Sequence, residues 1–211
     1  MKRLLCLLPA ISLMLALCAC RKSESTMDKF ADTVNSLVSV AVDQQTTKQT
    51  TTTTHEVALK RGNEVGNVCY TAQLPIITAK GIQEETVDPT SFGKVTVIYF
   101  WGTWCPPSVT DMSYFDAVAN KYGDQLAVVA VHGAISQTAP AFVAENYADS
   151  PIMFAADTGD NGNEYSYQMG GNGAYPRTII LNERGIITHI FNQSITEAQL
   201  ETAVLEAMGR M

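Results

Sequence analysis

The sequence predicts a three-layer α/β domain in which a mixed β-sheet lies between helices. Two observations carry this. Short β-branched runs of strand length alternate with helical patterns, and the last two such runs are joined by a tight turn, which brings an antiparallel pair into an otherwise parallel order. Of the 211 residues, 46% are hydrophobic and 17% charged, enough to bury a core in one domain of ordinary size plus extensions. The elements follow in chain order. Val95-Thr96-Val97-Ile98-Tyr99-Phe100 is a near-continuous apolar run, as in a strand covered on both faces. Pro106 and Pro107 then stand where a helix would begin, a place where the missing N–H groups cost nothing. Met112, Phe115, Val118, Ala119 and Tyr122 mark one face of that helix, and Gly123 stops it. Leu126 to Val131 is the second strand. Pro140 opens a second helix with Phe142, Val143 and Tyr147, which ends before Pro151. Ile152 to Ala156 is the third strand. Arg177 to Leu181 and Ile186 to Phe191, joined by Asn182-Glu183-Arg184-Gly185, form a hairpin. Ser194 with Glu197 reads as a capping box for a last helix whose Leu200, Val204 and Met208 face inward. The predicted order is β-α-β-α-β-β-β-α.

Ahead of this domain, residues 62–211, lie two segments of different character. Lys2 and Arg3 followed by the apolar stretch Leu4 to Leu17 have the make-up of a signal peptide and are short for a membrane span. Leu17-Cys18-Ala19-Cys20 then resembles the lipobox of bacterial lipoproteins. That resemblance implies cleavage before Cys20, lipidation of Cys20 and a membrane-anchored extracytoplasmic protein; the other reading is an ordinary secretory signal cut near Ala19. Residues 21–61 hold a leader and a tether. Phe30, Val34, Leu37, Val38 and Ala41 fit one short amphipathic helix, and Thr46 to Thr54 has seven threonines in nine residues, too polar to bury anything.

Charge excludes one class of function. The formal net charge is −7, and −9 once Lys2 and Arg3 leave with the first twenty residues, with no basic run. Nucleic-acid binding depends on clustered Lys and Arg that neutralise phosphate, so nucleic acid is not an expected partner. Three of the five cysteines fall in the first twenty residues, and no C-x-x-C pair exists for zinc.

The chemistry centres on Trp101-Gly102-Thr103-Trp104-Cys105-Pro106-Pro107-Ser108, between a strand and a helix. The helix N-terminus carries partial positive charge, which favours a thiolate over a thiol, so Cys105 reads as a nucleophile. Trp101 and Trp104 flank it as apolar walls for a peptide. Phe100-Trp101-Gly102-Thr103-Trp104-Cys105-Pro106-Pro107 resembles the active-site segment of the TlpA/ResA-like thioredoxin-fold (redoxin) family, extracytoplasmic thiol-disulfide oxidoreductases often tethered to membranes, and the similarity runs over roughly residues 62–209. The family's motif ends in a second cysteine, and this chain has Ser108 there. The resemblance implies a catalytic group of Cys105, Ser108 and Asp111, the last matching a family glutamate that exchanges protons with the sulfurs. It also implies a substrate groove lined by Trp101, Trp104, Pro107, Tyr175 and Pro176, with Pro176 as the family's cis-proline. Two functions are open: thiol-disulfide exchange by a single cysteine, or a redox-inactive module that binds cysteine-containing peptides. The expected partners are cysteine-containing extracytoplasmic proteins or small thiols, and no cofactor is expected.

Four further features have two readings each. Cys69 is either the resolving thiol that Ser108 does not supply or a small apolar filler. His132 ends a strand and reads as a packing residue. Asp157, Asp160, Asn161, Asn163 and Glu164 crowd a Gly-rich loop that either binds a hard cation or is a solvated turn, the latter preferred because the EF-hand spacing is absent. Gly170-Gly171-Asn172-Gly173 leads into Pro176 rather than a helix, so it is no phosphate loop and is expected to allow close approach to the proline.

Overall fold

The computed structural model describes residues 59–134, 138–159 and 161–211, and the signal segment, leader and tether, with Cys20, lie outside them. The described residues belong to one compact unit. Seven strands form one mixed sheet: β1 Leu74–Thr78, β2 Gly81–Val87, β3 Val95–Trp101, β4 Leu126–His132, β5 Met153–Ala156, β6 Arg177–Leu181 and β7 Ile187–Phe191, in the order β2-β1-β5-β4-β3-β6-β7. The helices are α1 Pro106–Tyr122, α2 Thr138–Asn146, α3 Glu164–Gln168 and α4 Glu197–Ala207. The fold is thioredoxin-like.

β3 is an interior strand, and every one of its residues is buried. It pairs in parallel with β4, from Val95↔Leu126 to Trp101↔His132, and antiparallel with β6, from Thr96↔Leu181 to Phe100↔Arg177. Period-two alternation divides its side chains between two cores. Val97, Tyr99 and Trp101 join Met112, Phe115 and Val118 of α1 and Leu200 and Val204 of α4 in one cluster. Ile98 and Phe100 join Tyr165, Met169 and Cys69 in the other. The Tyr99 and Phe115 rings stack at 3.9 Å, fixing the middle of α1 against β3.

Several sequence expectations need correction. β1 and β2 were not foreseen: of their twelve residues only Leu74, Ile77 and Val87 are buried, so the apolar signal of this edge hairpin is thin. The five residues of α3 are too few to show a period. α2 starts at Thr138, two residues before Pro140, which therefore sits inside the first turn. The capping box of α4 is Thr196 with Gln199, whose side chains and backbone N–H groups bond reciprocally, not Ser194 with Glu197. The stretch Ser194-Ile195-Thr196-Glu197-Ala198-Gln199 offers both frames. The observed one puts buried Ile195 before the cap and Leu200 at the fourth helical position, the two places of a hydrophobic staple.

Candidate active site

Cys105 is the N-cap of α1, in extended backbone conformation (φ −103°, ψ 99°), with Pro106 and Pro107 as the first two helical residues. Its amide donates to the Gly102 carbonyl (3.0 Å) and its carbonyl accepts from Val109 N–H (3.1 Å), which anchors the turn at both ends. The two prolines remove two of the N–H groups that a helix start normally aims at its cap. Of the first three helical residues only Ser108 keeps one. The half-buried Sγ of Cys105 lies 3.6 Å from the Tyr175 carbonyl oxygen, and the thiol is free. The Tyr175–Pro176 peptide is cis.

One turn into α1, the two other sequence candidates are buried. Ser108 is fully enclosed and its Oγ has no hydrogen-bond partner, while its carbonyl accepts from the Tyr99 hydroxyl at 3.0 Å. Burial, then the nearby Asp111 charge, pushes the Tyr99 phenol well above its ordinary value. Asp111 is 4% exposed and its Oδ2 accepts from the Ser194 hydroxyl at 2.5 Å. Ser194, freed from capping by the Thr196 frame, thus holds the carboxylate in place. Nothing local in the sequence links residues 83 positions apart, and this partner was missed.

The two tryptophans have different roles. Trp101 is fully buried and packs on Phe142, Phe154 and His132, because alternation along β3 turns its side chain into the core. It is not a groove wall, which corrects the expectation. Trp104 is half exposed, with its ring edge-on to His132 (5.1 Å) and Tyr175 (5.9 Å). A Cβ on Gly102 would lie 2.6 Å from the Trp104 ring, so this position requires glycine for the ring to lie where it does. Pro107 is exposed beside Cys105 and Pro176 is buried.

Tyr175 is held from behind. Its hydroxyl donates to Asn163 Oδ1 (2.5 Å), which also accepts from Ala134 N–H (3.0 Å). A Cβ on Gly133 would fall 1.8 Å from that hydroxyl. Burial pushes the phenol up to about 12. His132, deeply buried, accepts at Nε2 from Thr103 N–H (3.2 Å), and burial pushes its imidazole down to about 4. It is therefore neutral near pH 7 and serves as an acceptor and packing surface, not a base at the sulfur.

The remaining candidates lie elsewhere. Cys69 is fully buried against Tyr165 Oη (3.5 Å) and Met169 Sδ (3.7 Å), and burial pushes its thiol up to about 11. Its amide donates to the Gly185 carbonyl in the β6–β7 turn. Between that turn and the Cys105 end of the sheet lie the four residue steps from Leu181 to Arg177, about 13 Å of strand. A disulfide needs Cα atoms within about 7 Å. The geometry does not bring Cys69 to Cys105, and Cys69 is a core residue. Asp157 accepts from the backbone N–H groups of Thr158, Tyr165 and Ser166 and so organises α3. Burial raises its carboxyl above the ordinary value, against those three hydrogen bonds. Among the described residues no group of three or more His, Cys, Asp or Glu side chains could hold a metal ion; Asp160 lies outside them. In the glycine run the close approach is to α3, not to the proline: a Cβ on Gly171 would meet Ser166 Oγ at 2.7 Å.

Comparison with known proteins places this geometry in context. A family model described as Redoxin matches residues 69–206. The thioredoxin-like protein YneN of Bacillus subtilis is 30% identical over 115 residues, covering 52% of this chain and 62% of YneN. The thiol-disulfide oxidoreductase ResA of Halalkalibacterium halodurans is 31% identical over 111 residues, covering 52% of this chain and 60% of ResA. The chain thus spans less than two thirds of the length of these curated relatives. Among solved structures, a secreted thiol-disulfide isomerase from Corynebacterium glutamicum superposes with a TM-score of 0.55 at 16% identity, over 66% of this chain and 85% of that one. At that identity the likeness speaks for the fold alone.

Proposed function

The chain belongs to the Redoxin family, and on that premise we propose that it is an extracytoplasmic thiol-disulfide exchange protein with Cys105 as its one exchanging thiol. The observation that carries the reading is the pairing of a half-buried Cys105, its sulfur 3.6 Å from the Tyr175 carbonyl, with a fully buried Ser108 one turn later. In the proposed cycle the Cys105 thiolate attacks one sulfur of a substrate disulfide. A Cys105–sulfur bond forms as the substrate S–S bond breaks, and the other half leaves as a thiolate. Ser108 is an alcohol and is not ionised at neutral pH, so it cannot attack Cys105 Sγ and release the adduct. A second thiol from outside must do so, taking the substrate half as a new disulfide and restoring the Cys105 thiolate. Such a site suits isomerisation or the handing of a disulfide to a partner. Trp104, Pro107 and Tyr175, next to the buried Pro176, form the surface where a cysteine-containing peptide lies, and Asp111, held by Ser194, is the carboxylate closest along α1 for proton transfer.

The reading is tested by incubating the reduced protein, residues 21–211, with glutathione disulfide and mapping the adduct by mass spectrometry. One glutathione on Cys105, with Cys69 still a free thiol, is the expected result. A Cys69–Cys105 disulfide or no adduct at all would overturn it.

The location in this proposal rests on Leu17-Cys18-Ala19-Cys20 after a signal-like segment. Lipidation at Cys20 predicts that the full-length protein, expressed in a bacterium, enters the detergent phase on phase separation and that Cys20→Ala moves it to the aqueous phase. Equal release of both into the aqueous phase would leave only secretion.

A further inference from the structure

Arg177, the first residue of β6, directly follows the cis-proline and is 6% exposed. Its Nη2 donates to the Met169 carbonyl (2.7 Å) and its Nη1 to Asn192 Oδ1, and its Nε–H has no hydrogen-bond partner among the described residues. Neither of the ion pairs among the described residues involves it. A guanidinium stays charged at any physiological pH, and buried charges are ordinarily paired. Here the neighbours are two neutral oxygens, in a chain with an excess of acidic side chains. Burial lowers the ordinary affinity of this group for its proton.

Arg177 is one of the residues lining a recess, with Gly170, Gly171, Asn172, Ala174 and Asn192. Both glycines flank the arginine: a Cβ on Gly171 would lie 3.3 Å from Arg177 Cδ and one on Gly170 3.5 Å from Nη2. The recess adjoins the exchange site. Ala174 lines it, and the next residue, Tyr175, carries the carbonyl that Cys105 Sγ touches. Adjacent Cα atoms are about 3.8 Å apart, so a thiol held at Cys105 reaches the recess with a chain of one or two residues.

We propose that this recess binds a carboxylate of the exchanging thiol, so that the preferred small substrate is a carboxylate-bearing thiol of peptide size rather than a neutral or cationic one. The inference rests on Cys105 being the exchanging thiol and adds the group that selects its substrate. A carboxylate fits because it accepts two parallel N–H bonds from a guanidinium edge, and Nε–H is one donor of such an edge. The Asn192 side chain adds an amide beside it. The chemistry of the step is unchanged: the Cys105 thiolate takes one half of the disulfide and expels the other as a thiolate.

Two measurements test this. In the first, adduct formation on Cys105 is timed with glutathione disulfide and with its ethyl ester, in which the carboxylates are capped. A charged hydrogen-bonded pair supports a preference of about tenfold or more for the free carboxylate, and Arg177→Gln and Asn192→Ala are expected to bring the ratio towards one. In the second, S-methylglutathione, which cannot exchange, is titrated into the wild-type protein while the Arg177 Nε–H resonance is followed by NMR. A saturable shift, absent with the ester, is expected. A ratio near one in the wild type together with an unmoved resonance overturns the proposal, and adducts formed equally by both disulfides would then leave the exchange reading intact. An equal shift with sulfate also overturns it, as it would make the recess a general anion site. A shift without any Cys105 adduct supports the carboxylate site and sinks the exchange reading instead.

Discussion

Replacing Cys105 by serine is expected to lower the rate of exchange with a small chromogenic disulfide by at least about a thousandfold, to the uncatalysed background. The reason is chemical. Exchange proceeds through a thiolate, and an alcohol has neither the ionisation nor the sulfur to form the mixed disulfide. The other cysteine of the domain cannot substitute, because Cys69 is fully buried, its thiol is pushed up to about 11, and it lies at the other end of the sheet. Folding should survive: Cys105 is only half buried and its side chain caps nothing in α1. Cys105→Ser should therefore keep the unfolding free energy, read from urea denaturation, within about 1 kcal/mol of the parent. A variant that retained exchange would remove Cys105 from the mechanism.

Ser108→Cys should do the opposite, and two effects compete in it. A thiol at position 108 would be fully buried, and burial opposes ionisation, which slows its attack on the Cys105 adduct by one or two powers of ten. Against this, both sulfurs would sit on one helical turn, and well-oriented intramolecular reactions have effective concentrations of about 10⁵ M or more. Proximity wins. At millimolar external thiol the variant is expected to discharge its mixed disulfide at least about a hundredfold faster than the wild type, measured by stopped acid quench and mass spectrometry. Stability should also rise by about 1 kcal/mol, since the change removes a buried hydroxyl that has no partner and adds a more apolar atom. If the wild type forms no adduct and only the variant exchanges, the protein is a peptide-binding module instead.

What could be read in advance was local. Val95 to Phe100 is apolar without interruption because β3 is covered on both faces, and Cys105 before two prolines announces a cap and a helix start within four residues. The face of α1 was legible for the same reason: Met112, Phe115, Val118, Ala119 and Tyr122 recur at helical spacing and all are buried. What was illegible depends on distant partners or on competing local frames. Ser194 and Thr196 both head a capping pattern, and only the packing of Ile195 with the core selects Thr196. That choice releases Ser194 to hold Asp111. Trp101 and Trp104 look equivalent around the cysteine, yet one continues the alternation of β3 into the core and the other lies beyond its end. Arg177 read only as the start of a strand. Its lack of an ion pair among the described residues depends on where Met169 and Asn192 come to rest.

In the proposed cycle one sulfur forms the adduct and no second protein thiol removes it. The most direct measurement is the rate at which the isolated Cys105–glutathione adduct of the wild type decays as a function of added thiol. With a single exchanging sulfur the rate is proportional to thiol concentration and extrapolates to zero without it. A decay that persists at zero added thiol, with glutathione released and a protein disulfide formed, would give the protein a resolving cysteine of its own and rule the single-thiol cycle out.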